Sequence, residues 1–280
     1  MYKTLLCLGL SCLPGVPHEE MIHLMRQVGF EGFFADWTPD YDPASLRRTA
    51  KETDMLFQSI HAPFGRMAHM WQPTDLTETA VSELISCLRD CAENAVPLAI
   101  VHAFIGFEDH TPSSFGVDTF GRVVREAEKL GVKIALENTE GEEYLSALMD
   151  AFSGCSSVGF CWDAGHELCY NYGKDMMALY GDRLLGTHLN DNLGIRDHGG
   201  RIFWHDDLHL LPFDGIADWQ DIAARLKKSG FNGPLTFELS TRSKPDRHEN
   251  DAYGRMSPVE YLTAAYMRAC RVAALLQKQN

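Results

Sequence analysis

The chain has 280 residues, of which 45% are hydrophobic and 23% charged, and its formal net charge is −14 at pH 7. This length and composition are typical of one large domain with a full hydrophobic core. The negative charge makes nucleic acid an unfavourable partner, because it repels a phosphate backbone. No stretch approaches the ~20 apolar residues of a membrane span, and the N-terminal residues do not form a proper signal peptide.

The predicted elements alternate between strand and helix, which is the pattern of βαβ units. Strands are predicted over residues 5–10, 32–37, 56–64, 98–104, 133–139, 158–165, 184–191 and 233–240. Helices are predicted over residues 17–30, 42–55, 74–96, 118–132, 142–154, about 174–184, 218–231 and 257–279. Eight such units predict a single-domain (β/α)8 TIM barrel over residues 1–280. The long loops at about 191–217 and 241–256 are of a length that often forms lids or binding segments.

The eight cysteines include no tight CxxC pair, and several fall in apolar strands or on helix faces. This usage is typical of reduced, buried thiols. Together with the absence of a membrane span, it leads us to expect a cytoplasmic protein.

An acid or a histidine stands at the end of six successive apolar runs, from strand three to strand eight. These residues are His61, His102, Glu137, Asp163, His166, His188, Asp191 and Glu238. In a parallel barrel the carboxyl ends of all strands face one mouth, so we expect these side chains to converge. A mixed oxygen and nitrogen set without thiolate suits Mn²⁺, Co²⁺, Mg²⁺ or Zn²⁺. Four aromatic residues could form an apolar wall beside a bound ligand at this mouth, namely Trp37, Phe64, Trp162 and Trp204.

The segments around these residues resemble the xylose isomerase-like TIM barrel superfamily. The matching segments are His61-Ala-Pro, Leu136-Glu137-Asn138, Trp162-Asp163-Ala164-Gly165-His166, His188-Leu189-Asn190-Asp191 and Phe237-Glu238. The D-x-G-H and H-x-N-D elements are the most specific of them, and the resemblance covers nearly the whole chain. The superfamily contains sugar and sugar-phosphate isomerases and epimerases. It also contains the endonuclease IV class of DNA repair enzymes (AP endonuclease family 2).

The resemblance to ketohexose 3-epimerases implies one divalent metal, Mn, Co, Mg or Zn. Its ligands would be Glu137, Asp163, His188 and Glu238. Glu137 and Glu238 would also be the catalytic acid and base. They would epimerise or isomerise a small sugar, keto-sugar or sugar phosphate through a metal-stabilised enediolate. Asp191 would be a second-shell partner that orients His188.

The resemblance to the endonuclease IV branch implies a different site, with up to three zinc ions. Its extra ligand positions match His61, His102, His166, Asp207 and His209, which could equally bind substrate. The turn that begins at Asp207 carries Phe213 where the superfamily usually has glycine. The alternative function is therefore a multinuclear-zinc phosphoesterase, although the chain has no Arg- or Lys-rich face for DNA.

A third reading is a non-catalytic barrel that binds a sugar or a metal. The sequence leaves the oligomeric state open, a homo-oligomer included.

Overall fold

The computed structural model describes residues 4–40, 42–108, 111–196 and 198–278. It contains eight parallel strands, β1 to β8, whose bounds in chain order are Leu6–Gly9, Gly32–Asp36, Leu56–His61, Leu98–His102, Lys133–Glu137, Val158–Asp163, Leu184–His188 and Leu235–Phe237. Strands β1 to β7 pair successively in chain order, and β1 also pairs with β8, whereas β7 and β8 are not paired as strands. Next to β7, Leu189 donates its N–H to the carbonyl of Thr236 at 2.8 Å, which nearly closes the barrel. The predicted TIM barrel is confirmed; residues 1–3, 41, 109–110, 197 and 279–280 of the predicted 1–280 domain lie outside the described residues.

Helices alternate with the strands. Helices α1 to α10 are His18–Val28, Pro43–Thr53, Thr77–Glu93, Ser114–Leu130, Glu142–Ala151, Ala164–Cys169, Met176–Tyr180, Trp219–Ser229, Asp251–Gly254 and Pro258–Lys278. The first residues of several helices are determined by N-cap hydrogen bonds. Helix α4 begins four residues before the predicted position because Ser113 accepts a hydrogen bond from the N–H of Gly116 at 3.1 Å. Asp42 caps α2 in the same way, through the N–H of Ser45.

The inside of the barrel is filled in layers, and this layering positions the site. Ile100, Ala135 and Cys161 form a small apolar cluster. Each lies two residues before a strand-end residue that we predict as a ligand. Side chains alternate along a strand, so residues two apart point to the same side. The apolar layer therefore supports a polar layer at the carboxyl end of the barrel.

None of the helices in the described ranges is both long enough and apolar enough to cross a membrane. The eight cysteines are unpaired thiols, and six of them are buried.

Candidate metal centre and cavity

The parallel register brings the strand-end residues to one level of the barrel. His102 pairs with Glu137 across β4 and β5, and Asp163 pairs with His188 across β6 and β7. Each of these four residues is the last of its strand. The side chains therefore converge as the sequence predicts, although they come from distant parts of the chain.

Four of the predicted ligands form a compact group. Glu137, Asp163, His188 and Glu238 each place a ligand-type atom within 4.8 Å of those of the others. His188 Nδ1 lies 2.8 Å from Glu137 Oε1 and 3.0 Å from Glu238 Oε2. Atoms that bind one ion at ~2.0–2.2 Å are themselves about 3 Å apart, so this spacing fits a divalent cation. Three carboxylates in such a buried group also need positive charge nearby, because burial of an unpaired charge is costly.

Two further groups adjoin this one. In the first, His61 Nε2 and His102 Nε2 each lie 3.3 Å from Oε2 of Glu137. In the second, Asp207 Oδ1 lies 3.4 Å from His166 Nε2, and Asp207 Oδ2 lies 3.0 Å from His209 Nε2. Both groups have the spacing of metal ligands. The structure thus brings together all nine residues that the sequence suggests as metal or substrate ligands.

The turn that begins at Asp207 contains an unusual residue, Phe213. Phe213 has φ 75°, and such left-handed backbone is adopted most easily by glycine. The usual glycine is therefore replaced by a residue that takes a glycine-like conformation. The turn still delivers Asp207 and His209 to the barrel mouth.

The residues Trp162-Asp163-Ala164-Gly165-His166 show no obvious helix pattern, so the sequence predicts that a loop follows Asp163, and the structure corrects this prediction. Asp163 is instead the N-cap of the short helix α6, and its Oδ1 accepts a hydrogen bond from the N–H of His166 at 2.6 Å. Its other oxygen, Oδ2, accepts from the side-chain amide of Asn190 at 2.8 Å. A side chain at Gly165 would collide with Asn190, since a Cβ there would lie 1.7 Å from its Oδ1. This contact explains the glycine in the D-x-G-H element.

Asp191 corrects a second expectation, because it does not orient His188. Its carboxylate accepts 2.9 Å hydrogen bonds from the N–H groups of Phe213 and Ala217 and from the indole of Trp219. Asp191 therefore holds the return of the long loop towards α8. The nearby Gly215 is a sequence signal for this role, because a Cβ there would lie 2.2 Å from Asp191 Oδ1.

Replacing Asp191 with alanine should destabilise the protein by about 2–4 kcal/mol, because buried N–H donors would lose a charged acceptor. The free energy of unfolding in urea measures this loss. Asp191→Asn is the matched control, since it keeps one acceptor oxygen and should lose less. Equal stability of Asp191→Ala and the unsubstituted protein would contradict the assigned role.

Asn138 is a site residue that the ligand pattern did not single out. Its side-chain amide donates to the carbonyl of Asp163 at 2.9 Å and accepts from the N–H of Asp163 at 2.8 Å. Its own carbonyl oxygen lies 3.0 Å from His166 Nδ1. Asn138 therefore fixes the ends of β5 and β6 relative to each other and orients the His166 ring.

The groups open into a cavity of about 370 Å³ at the barrel mouth. It is lined by His61, Phe64, His102, Ile105, Phe107, Glu140, His166, Tyr170, Trp204, Asp207, His209, Glu238 and Lys244. Glu238 reaches this cavity, whereas Glu137 is fully buried behind the imidazoles that it contacts. Of the four aromatic residues suggested as an apolar wall, Phe64 and Trp204 line the cavity. Trp37 and Trp162 are instead buried, and their indole N–H groups donate to Asp90 and Glu167.

The acids and imidazoles of the site shift each other's pKa values. Burial opposes the ionisation of Glu238, but His188 and His209 outweigh it and lower its pKa to about 2. Burial raises the pKa of Asp163 to about 6, with Glu137 adding to the effect. Burial opposes the protonation of His209, but Asp207 and Glu238 raise its pKa to about 9. The imidazolium groups therefore supply part of the positive charge that a metal ion would supply.

The metal-free protein should lose stability between pH 6 and pH 9. His209 has a folded-state pKa of about 9, above its unfolded value of ~6.5. Its stabilising effect is complete below ~6.5 and is lost as the pH rises to 9. His188 acts in the same direction, since Glu137 and Glu238 outweigh its burial and hold its pKa well above the usual value. The expected loss is on the order of 1–3 kcal/mol.

Urea unfolding of chelator-treated protein at pH 6 and pH 9 measures this loss. A His209→Asn variant, which cannot be protonated, should show a smaller difference between the two pH values. Equal or greater stability of the chelated protein at pH 9 would contradict the prediction.

Comparison with known proteins identifies the family. The family model described as xylose isomerase-like TIM barrel matches residues 16–257. The uncharacterized protein y4fM of Sinorhizobium fredii is 27% identical over 267 residues, covering 80% of this chain and 81% of that protein. The solved structure of the IolI protein with a bound zinc atom has a TM-score of 0.77 and 16% identity, over 98% of both chains. A structure of L-ribulose 3-epimerase has a TM-score of 0.73 and 13% identity, over 98% of this chain and 96% of that one.

At these identities the solved structures show a shared fold. The family model covers most of the sequence, from the start of the first helix region to the end of the second long loop. The chain therefore belongs to the xylose isomerase-like TIM barrel family.

Proposed function

We propose that this protein is a divalent-metal-dependent isomerase or epimerase of a small sugar, keto-sugar or sugar phosphate. The observation that carries the proposal is the four-residue group of Glu137, Asp163, His188 and Glu238. Glu238 also lines the cavity at the barrel mouth. Two solved structures with the same fold, the zinc-bound IolI protein and L-ribulose 3-epimerase, support this choice of ligand and reaction.

The dimensions and lining of the cavity favour a small polar substrate. Its volume of about 370 Å³ is at the lower end of the range for small-molecule sites. The imidazole rings of His61, His102 and His166 form part of its wall and make that wall polar. The exposed ring of Phe64 stacks on His102 with the ring centres 4.6 Å apart, and it gives one apolar face for a sugar.

Glu238 is placed to move a proton at a substrate carbon. It is ionised at neutral pH, since its pKa is about 2, and it lines the cavity. In the proposed reaction it removes the proton from the carbon beside the substrate carbonyl, and the electron pair moves to the carbonyl oxygen. A divalent ion in the four-residue group would supply positive charge where this negative charge develops. Glu137 is the second acid–base group that the resemblance implies. Because it is buried behind the imidazoles that it contacts, its proton would pass to the substrate through the ring of His61 or His102.

A second candidate function is a multinuclear-zinc phosphoesterase. It is favoured by the assembly of His61, His102, His166, Asp207 and His209 into two further groups of metal-ligand spacing. Glu137 contacts His61 and His102 as well as His188, so in this candidate it would be a ligand shared by two neighbouring groups. The net charge of −14 argues against a polyanionic substrate such as DNA, but not against a small phosphoester.

One experiment separates the two candidates. Metal-loaded protein would be incubated in D2O with a panel of ketoses and ketose phosphates, and deuterium incorporation followed by NMR. We expect incorporation at the carbon beside the carbonyl, lost after chelation and restored by added metal. Absence of exchange across the panel, with metal-dependent cleavage of a small phosphodiester or an abasic-site duplex, would replace the first candidate by the second.

A further inference from the structure

Lys244 brings a positive charge into the group formed by His166, Asp207 and His209. Its Nζ lies 3.5 Å from Asp207 Oδ2, the same oxygen that His209 Nε2 contacts at 3.0 Å. The ammonium also lies 5.7 Å from the ring centre of Trp204, a distance at which a cation is attracted to an indole. Among the described residues that line the cavity, Lys244 is the one lysine or arginine.

Lys244 changes the charge balance of this group relative to the four-residue group. The four-residue group contains three carboxylates, so a divalent ion there still leaves one net negative charge. The group at Asp207 contains one carboxylate, which Lys244 already neutralises. A divalent ion bound there would leave two net positive charges beside the four-residue group.

The distances make this charge conflict severe. A metal bound to Asp207 Oδ2 at ~2 Å would lie within about 6 Å of the Lys244 ammonium, which is 3.5 Å from that oxygen. The side chain of Lys244 is only 23% exposed and that of Asp207 only 12%. Retreat of the ammonium into solvent would break its contacts with both Asp207 and Trp204.

We propose that Lys244 is a built-in cation that keeps the group of His166, Asp207 and His209 free of metal. The ions that this chain retains are then confined to the groups that contain Glu137. His166 and His209 then keep their contacts with Asp207 instead of binding a metal ion. The second long loop, at 241–256, thereby determines how many ions the barrel mouth holds. This proposal concerns metal binding and does not depend on the reaction proposed above.

Zinc content tests the proposal without any substrate. The unsubstituted protein and Lys244→Met would be equilibrated with buffered zinc, and the bound zinc measured by elemental analysis and by competition with a chromogenic chelator. Lys244→Met keeps the length of the side chain and removes its charge. We expect it to bind one more zinc ion per chain than the unsubstituted protein.

Three further variants locate the effect. Addition of His209→Ala to Lys244→Met should remove the extra ion, since His209 would be one of its ligands. Lys244→Arg should bind as many ions as the unsubstituted protein, because the charge is retained. Lys174→Met, which removes a surface lysine paired with Glu142, should also leave the zinc content unchanged. An unchanged content in a folded Lys244→Met, or a third ion already present with Lys244 in place, would overturn the proposal.

Discussion

Replacing Glu238 with glutamine should lower the turnover of the proposed isomerisation by roughly 10²- to 10⁴-fold, the usual contribution of a general acid or base. The amide has nearly the same shape but cannot accept a proton. Glu238 is the carboxylate of the four-residue group that lines the cavity. The measurement is the rate of deuterium exchange at the substrate carbon, made at saturating metal so that weaker metal binding is not mistaken for lost chemistry.

Glu140→Gln is the matched control for this prediction. Glu140 lines the same cavity, and its carboxylate accepts a 2.9 Å hydrogen bond from the N–H of Gly106. It does not belong to any of the groups with metal-ligand spacing among the described residues. The control should therefore exchange at close to the unsubstituted rate. If Glu238→Gln also kept that rate, the acid–base role of Glu238 would be wrong.

Replacing Glu137 with glutamine should weaken metal binding by at least ~100-fold. This loss is larger than the one typically seen when a residue that only contacts a metal ligand is replaced. Glu137 is fully buried, and its two oxygens contact His188, His61 and His102. Burial opposes its ionisation, but these imidazoles hold its pKa well below the usual value. A neutral amide has one acceptor oxygen where the carboxylate has two. It therefore cannot replace both the contact of Oε1 with His188 and the contacts of Oε2 with His61 and His102.

The affinity for zinc or manganese, measured by competition with a chelator, tests this expectation. Glu140→Gln again serves as the control and should bind metal as tightly as the unsubstituted protein. Far-ultraviolet circular dichroism of the metal-free variants would show that the fold is retained. Metal affinity in Glu137→Gln equal to that of the unsubstituted protein would remove Glu137 from the proposed ligand set.

The sequence predicts the barrel and the convergence of its ligands because both depend on regular repeats. Alternation of strands with helices leaves few topologies, and a parallel barrel directs all carboxyl strand ends to one mouth. Glu137, Asp163 and His188 can therefore be assigned to one site although they lie on three different strands. The same logic reaches His61 and His102, which also end their strands.

The segments that follow the strand ends obey no such rule. There the sequence interpretation is wrong at two positions and does not single out a third residue. Asp163 was expected to precede a loop, but it caps a helix of only six residues, too short for a clear periodic pattern. The resemblance predicts that Asp191 orients His188. Its carboxylate instead accepts hydrogen bonds from Phe213 and Trp219, which lie more than 20 residues later in the chain. Lys244 gave no signal at all, because its role depends on where two long loops meet.

The sequence by itself determined the fold and the residues that end the strands, since strand period and strand order are local or nearly local properties. Only the tertiary structure decided which of those residues are buried and which reach the cavity. It buried Glu137 among imidazoles, opened Glu238 to the cavity, and placed Lys244 against Asp207. The physical reason is that burial and charge balance depend on contacts between distant segments, and these contacts are set by the packing of loops on the completed barrel.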